Sequence, residues 1–250
     1  MDRWLRRAHS LAILRRMSRL EGTTVVLTGA SSGIGRALAV KIVARGALVF
    51  GVTRRPGSLP EGVTTIEADL TERAQIAGVF RDLGRIDVLI NCAGIAYLSR
   101  IIDGNPTDWE EMWRVNVLAL ALCCQSALPH FAPEGGRIVN VSSLSGRRVP
   151  TSGGFYAPTK FAVRAITDAL RFELKSVGSR VQVACVSPGY VDTPLLELYF
   201  RGREEMLEKA RSTMRMLTPE DVADAILTIL EAPPHVEIGD ILMRSADQKV

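Results

Sequence analysis

The chain has 250 residues, with 31 Lys and Arg against 27 Asp and Glu, a formal net charge of +4, and 47% apolar residues. This is ordinary soluble globular composition, and a chain of this size buries roughly 70–75% of its extended surface on folding, which excludes a disordered chain and a disulfide-framed mini-domain. The strongest apolar stretch, Val115 to Cys124 broken by Asn116, falls well short of the ~20 residues of a membrane-spanning helix.

Residues 1–16 carry the whole net charge: Arg3, Arg6, Arg7, Arg15 and Arg16 outweigh Asp2 by four, and residues 17–250 sum to zero. Trp4, Leu5, Ala8, Leu11 and Ala12 share one helical face, but Arg15, Arg16 and Arg19 then fall on that same face, so one long amphipathic helix is a poor reading. The basic leader is read as an extension outside the fold, with Met17 as an alternative start. A short membrane-surface helix and an organelle transit peptide are the competing readings. The neutral body gives no electrostatic ground for a nucleic-acid partner, and a membrane surface is within reach only through residues 1–16. A cytoplasmic location is expected, with organelle targeting or membrane-surface association through the leader as alternatives.

From residue 17 onward short β-rich runs alternate with helix-length segments. Strands are expected at Thr23–Thr28, Leu48–Thr53, Thr64–Asp69, Asp87–Asn91, Arg137–Ser142, Val181–Ser187 and Ile238–Met243. Several are nearly all apolar, as parallel strands covered on both faces should be. Helices are expected at Ile34–Arg45, Glu72–Leu83, Asp108–Phe131, Phe155–Val177 and Pro219–Leu230. The alternation predicts an α/β fold, a doubly wound, seven-stranded parallel sheet forming one domain over 17–250. The irregular stretch Pro188–Leu217 reads as a helical lid at about 189–217.

Cys92, Cys123, Cys124 and Cys185 lack CxxC spacing and lie in apolar runs, where cysteine behaves as a small hydrophobe. With only His9, His130 and His235 available, neither a metal site nor a histidine-based triad is expected.

Thr28-Gly29-Ala30-Ser31-Ser32-Gly33-Ile34-Gly35 follows the first strand and opens the first helix. Glycine permits the tight turn and the close approach of backbone to phosphate, and the amides of the helix N-terminus face the pyrophosphate of a dinucleotide. The spacing, G-x-x-x-G-x-G, differs from the common G-x-G-x-x-G, and its place after the first strand gives it weight. The second strand ends in Thr53-Arg54-Arg55, where an NAD site would carry an acid for the ribose 2′-hydroxyl. A neutral Thr followed by two guanidiniums suits a 2′-phosphate instead. NADP(H) is therefore the expected cofactor.

Tyr156 and Lys160 stand four residues apart at the start of a helical segment, so phenol and ammonium share one face. A neighbouring cation lowers a tyrosine pKa from its ordinary value near ~10. Ser143 ends the fifth strand, at the sheet edge where open α/β folds place their sites, with a hydroxyl to offer a carbonyl oxygen.

Together these pieces resemble the short-chain dehydrogenase/reductase family, from about Ser18 to the C-terminus. The matching residues are TGASSGIG at 28–35, Asp69-Leu70, Asn91-Cys92-Ala93-Gly94, Asn116, Ser143, YAPTK at 156–160, and Pro188-Gly189 followed by Thr193. The resemblance implies a Rossmann-like fold and a catalytic set of Asn116, Ser143, Tyr156 and Lys160. In it Tyr156 is the general acid/base, Ser143 polarises the substrate oxygen, Lys160 also binds the nicotinamide ribose, and Asn116 anchors a water-linked proton relay. It assigns Asp69 to the adenine, Asn91, Ala93 and Gly94 to the adenosine side, and Val191 and Thr193 to the nicotinamide amide and pyrophosphate. Two departures stand out: Cys92 replaces the usual second Asn, and Ser32 stands where some NADP enzymes carry a basic residue. The family habit also implies a homo-oligomer.

The C-terminal part, from Leu217 through Arg244, is similar to animal farnesol dehydrogenase-like and ketosteroid-reducing enzymes, and to NADP-dependent serine and 3-hydroxy-acid dehydrogenases. The expected activity is interconversion of a carbonyl and an alcohol. An apolar wall of Val149, Phe155, Tyr190, Leu195, Leu196, Leu198, Tyr199 and Phe200 would favour a lipophilic substrate. Arg147, Arg148, Arg201 and Arg203 would instead meet the carboxylate of a small hydroxy acid. A non-enzymatic NADP-binding scaffold is the remaining alternative, though all four catalytic positions are filled.

Overall fold

The computed structural model describes residues 18–248 except Pro56 and Ser152. The expected leader at 1–16 lies outside the described residues. Seven parallel strands form one sheet: β1 (Thr24–Thr28), β2 (Leu48–Thr53), β3 (Val63–Glu67), β4 (Val88–Asn91), β5 (Gly136–Val141), β6 (Val181–Pro188) and β7 (Asp240–Met243), in the order β3-β2-β1-β4-β5-β6-β7. The inner strands are the apolar ones: VLIN of β4 is buried throughout, because helices cover both faces. The chain builds outward from β1 to β3, returns to β4 and builds the other way. The connections after β1 and β4 therefore diverge at the carboxyl edge and leave a crevice between them.

One helical layer is α1 (Gly33–Val43) with the late helix Pro219–Leu230; their Leu38, Ile42, Val222 and Ile226 pack with Val25, Leu27 and Val186 of the sheet. The other face holds α2 (Arg73–Arg81), α3 (Pro106–Trp113), α4 (Leu120–Ala127) and α5 (Tyr156–Ser176), whose Ile76, Phe80, Cys123 and Val163 meet Val26, Leu89 and Ile138. No helix among the described residues is long and apolar enough to cross a membrane.

Element boundaries differ from expectation where a local device decides them. The long helix expected at Asp108–Phe131 starts earlier, because the Asn105 side chain caps Thr107 and Pro106 takes the first turn. It is also not uniform: α3 passes through a π-helical turn, Arg114–Ala119, before α4. The stretch after β6 does contain helices, α6 (Pro194–Tyr199) and α7 (Glu204–Thr213). Its two roots pair with each other, through a parallel bridge between Val191 and Leu217. The late helix, α8 (Pro219–Leu230), begins with a capping box in which Thr218 and Asp221 satisfy each other's backbone N–H groups.

Candidate active site

The glycine loop sits at the crevice, and each glycine has its own reason. At Gly29 (φ 72°) a Cβ would lie 2.8 Å from the Ala93 backbone. At Gly35 a Cβ would lie 2.2 Å from the Gly29 carbonyl oxygen, so the first turn of α1 closes directly on the loop that precedes it. At Gly33 (φ 50°) a Cβ would lie 3.1 Å from the Thr193 methyl, so the segment after β6 passes over the loop. The Thr28 hydroxyl fastens the two diverging connections together, accepting the N–H groups of Cys92 and Ala93 at 3.1 Å each.

At the end of β2 the buried Thr53 hydroxyl accepts the Arg55 N–H at 3.1 Å, shaping the turn that presents Arg54 and Arg55. Arg54 lies 4.0 Å from Asp69, which holds Thr71 through both its backbone N–H and its hydroxyl. Those bonds keep the Asp69 carboxyl below its ordinary pKa, so a carboxylate stands opposite an exposed guanidinium.

Farther along the edge the proposed catalytic groups converge. Ser143 caps a 3₁₀ turn, Leu144–Gly146, and its hydroxyl stands beside the Tyr156 phenol. Lys160 is buried and donates to the Val141 carbonyl at 3.1 Å, with its ammonium 5.7 Å from the centre of the Tyr156 ring. Burial pulls this lysine down to about 8. The expectation that Lys160 lowers the Tyr156 pKa meets an opposing effect: desolvation pushes the phenol up, and the Ser143 hydroxyl opposes that rise. Gly146 makes the cluster possible, since a Cβ there would stand 2.5 Å from the Lys160 carbonyl oxygen.

Asn116 lies within the π-helical turn, and its side chain reaches out of its own helix. Its Oδ1 accepts the Ile95 N–H at 2.9 Å, and its Nδ2 donates to the Ile95 carbonyl at 2.8 Å and to Thr159 at 3.2 Å. The loop after β4 is thereby held against α5, and a Cβ at Gly94 would lie 3.2 Å from Asn116 Oδ1 and 3.7 Å from Lys160 Nζ.

One cavity of about 1190 Å³ joins these parts. Its lining includes Gly29, Ser31, Ser32, Gly33, Ile34, Gly35, Thr53, Arg54, Arg55, Asp69, Leu70, Ala93, Gly94, Ser143, Tyr156, Lys160, Pro188, Gly189, Val191 and Thr193. Thr28, Asn91 and Asn116 stand behind this surface as buried supports. Asn91 Nδ2 donates to Asn140 at 2.9 Å, tying β4 to β5.

The substrate end of the cavity differs in part from expectation. Tyr190, Leu195, Leu196 and Tyr199 line it. Phe200 instead packs with Leu196 and Leu207 under the helices, Phe155 stacks on Trp109 at 5.5 Å, and Val149 faces solvent. Arg147, Arg201 and Arg203, considered for a carboxylate, do not line the cavity. Arg147 pairs with Asp240, Arg201 covers the Tyr97 ring at 5.4 Å, and Arg203 donates to the Leu98 carbonyl at 3.0 Å. Arg148 does line the cavity. So do Arg114, Met214, Asp247 and Gln248, which sequence reasoning passed over. No motif flags them, since they reach the site from three separate stretches of the chain.

A doubly wound sheet with a glycine loop at its switch point and a Ser–Tyr–Lys cluster at its carboxyl edge defines a dinucleotide-type oxidoreductase architecture. The short chain dehydrogenase family model matches residues 23–204, and the chain belongs to that family. It is 36% identical to bovine "Dehydrogenase/reductase SDR family member 11", an alignment covering 93% of this chain and 99% of that one. The human protein of the same name is 35% identical over 93% and 97% of the two chains. Among solved structures, the closed form of serine dehydrogenase complexed with NADP+ superimposes with a TM-score of 0.85 at 28% identity, covering 91% of this chain and 97% of that one. Serine dehydrogenase from Escherichia coli gives 0.76 at 27%, covering 91% and 100%.

Proposed function

We propose that the protein is an NADP(H)-dependent oxidoreductase that interconverts a carbonyl and a primary or secondary alcohol, on a lipophilic substrate of isoprenoid or steroid type. The observation that carries the reading is the Ser143–Tyr156 hydroxyl pair opening into a cavity continuous with the glycine loop. The loop fits a dinucleotide: Gly33 adopts a positive φ (50°) that keeps backbone rather than side chain at the turn, and the N-terminus of α1 opens its amides to the cavity. NADP(H), when bound, supplies or accepts the hydride.

The residues do the rest. Thr28 to Gly35 would hold the pyrophosphate, Arg54 and Arg55 the 2′-phosphate, Asp69 and Leu70 the adenine, and Asn91, Ala93 and Gly94 the adenosine. Pro188, Gly189, Val191 and Thr193 would close on the nicotinamide side. Tyr156 gives or takes the proton of the reacting oxygen, and Ser143 donates to that same oxygen. Lys160 holds the nicotinamide ribose, and the Asn116–Ile95 pair keeps the Gly94 loop beside it.

Tyr190, Leu195, Leu196, Tyr199 and Met214 supply the apolar wall that favours a lipophilic substrate. A second reading, a small hydroxy acid, rests on Arg148 in the cavity wall and on the likeness to serine dehydrogenase. Absorbance assays of NADPH and NADP+ turnover against farnesol, farnesal, a ketosteroid, serine and 3-hydroxypropionate decide between them. The lipophilic reading expects the higher kcat/KM for the first three and little change on Arg148→Gln. Preference for the acids, lost in that variant, would replace it. A higher kcat/KM with NADH than with NADPH would overturn the cofactor assignment.

A further inference from the structure

The turn that follows β7 folds back on itself: Asp247 N–H reaches the Ser245 hydroxyl at 3.2 Å, and Gln248 N–H reaches the Ser245 carbonyl at 3.1 Å. Its last two side chains enter the wall of the large cavity. Gln248 is only 8% exposed, and its Oε1 accepts the Tyr190 N–H at 3.0 Å. Asp247 accepts the Arg215 N–H at 3.2 Å.

Tyr190 and Arg215 stand at opposite ends of the segment that carries α6 and α7. Those ends also bond directly, Leu217 N–H to the Tyr190 carbonyl at 3.0 Å and Asp192 N–H to the Leu217 carbonyl at 2.9 Å. One four-residue turn therefore grips both roots of the segment. Gly189 is part of the same device, because a Cβ there would lie 2.1 Å from Gln248 Oε1. A side chain at 189 would push the Gln248 carboxamide off the Tyr190 N–H.

We propose that this turn is the latch of the 189–217 lid, and that Gln248 is a positioning residue for substrate. By holding Tyr190 at one root, and through Asp247 the chain beside Met214 at the other, it sets two walls of the substrate end of the cavity. Without the Gln248 acceptor the Tyr190 N–H loses its partner, and a half-buried amide of that kind is relieved by moving toward water. The root then swings outward and the lid with it. The effect on substrate rests on the oxidoreductase reading above; the latch itself does not.

The test compares the full chain with Gln248→Ala and Gln248→Glu, the second of which keeps an acceptor oxygen. Native protein is digested with trypsin, and cleavage at Arg201, Arg203, Lys209, Arg211 and Arg215 is followed by mass spectrometry. In parallel, KM and kcat are measured for whichever panel substrate turns over fastest. Gln248→Ala should cleave in the lid about three- to tenfold faster and raise KM by a similar factor, the equivalent of one lost hydrogen bond. Its kcat and Tm should stay near wild type, and Gln248→Glu should restore both readouts. Lid cleavage at the wild-type rate overturns the latch. So does cleavage spread along the whole chain with a lowered Tm, or a defect that Gln248→Glu fails to reverse. If wild type turns over no substrate in the panel, the oxidoreductase reading fails, and the protease arm judges the latch alone.

Discussion

Tyr156 and Lys160 share a helix face, yet their surroundings pull them in opposite ways. Desolvation keeps the phenol protonated and pushes the ammonium toward neutrality, while the Ser143 hydroxyl opposes the rise of the phenol. Tyr156→Phe deletes the exchangeable proton and keeps the ring. Turnover in that variant should fall by at least about a hundredfold, the usual scale of general acid–base catalysis. The thermal shift induced by NADPH should persist; turnover within a few-fold of wild type would remove Tyr156 from the mechanism. Lys160 offers a second check through stability. Its folded pKa of about 8 lies below its ordinary value of 10.5, so between those values the unfolded chain binds more protons. Stability attributable to this residue therefore rises with pH across that window. Lys160→Met removes the buried ammonium, so its stability relative to wild type should be most favourable near pH 7 and decline toward pH 10. Denaturant melts at the two pH values measure the change, and a pH-independent difference would contradict it.

The informative elements are those where an interaction from outside the helix or loop decides local form. The first turn of α1 closes against its own loop because Gly35 has no side chain, with the Gly29 carbonyl 2.2 Å from where a Cβ would be. Gly35→Ala must displace backbone on one side or the other. Destabilisation of about 1–3 kcal/mol is expected from overpacking, together with loss of the NADPH thermal shift. Gly78→Ala, where a Cβ meets nothing within 4 Å, serves as the control. The π-helical turn at Arg114–Ala119 has the same character. Asparagine is a poor interior helix residue, and at 116 it earns its place through Ile95, twenty-one positions away in sequence. The sequence shows an Asn within an apolar helix; the widened turn and the Ile95 pairing appear only in three dimensions.

Across the whole molecule, apolar groups remain on the outer face of the α3–α5 layer. Phe172 is 71% exposed, and Phe161, about three helical turns earlier on α5, is also exposed. Trp113 and Leu118 are exposed on the neighbouring helical stretch. These residues support the expectation of a homo-oligomer. Light scattering after size exclusion should show a mass above that of one chain, and Phe172→Glu should shift it downward, since a charge would be buried without a partner. A monomer at assay concentration would set that expectation aside.

The layered α/β architecture was legible in the sequence because its signals are local. Apolar strand runs, the 28–35 loop and the Tyr156–Lys160 spacing each follow from a few neighbouring residues, and their order along the chain carries the family resemblance. Which side chains finish the cavity was settled only by tertiary packing. Arg147 looked like a carboxylate partner at the pocket until β7 brought Asp240 against it. Phe155 looked like pocket wall until α3 presented Trp109 for stacking. Gln248 carried no signal at all, and it reaches the site because β7 returns to the carboxyl edge beside β6, where Gly189 leaves room for it. A local pattern can specify a strand, a turn or a helix face, since the groups involved are covalently near. The choice of partner for a long polar side chain depends on which distant backbone or carboxylate arrives beside it, and only the assembled sheet determines that.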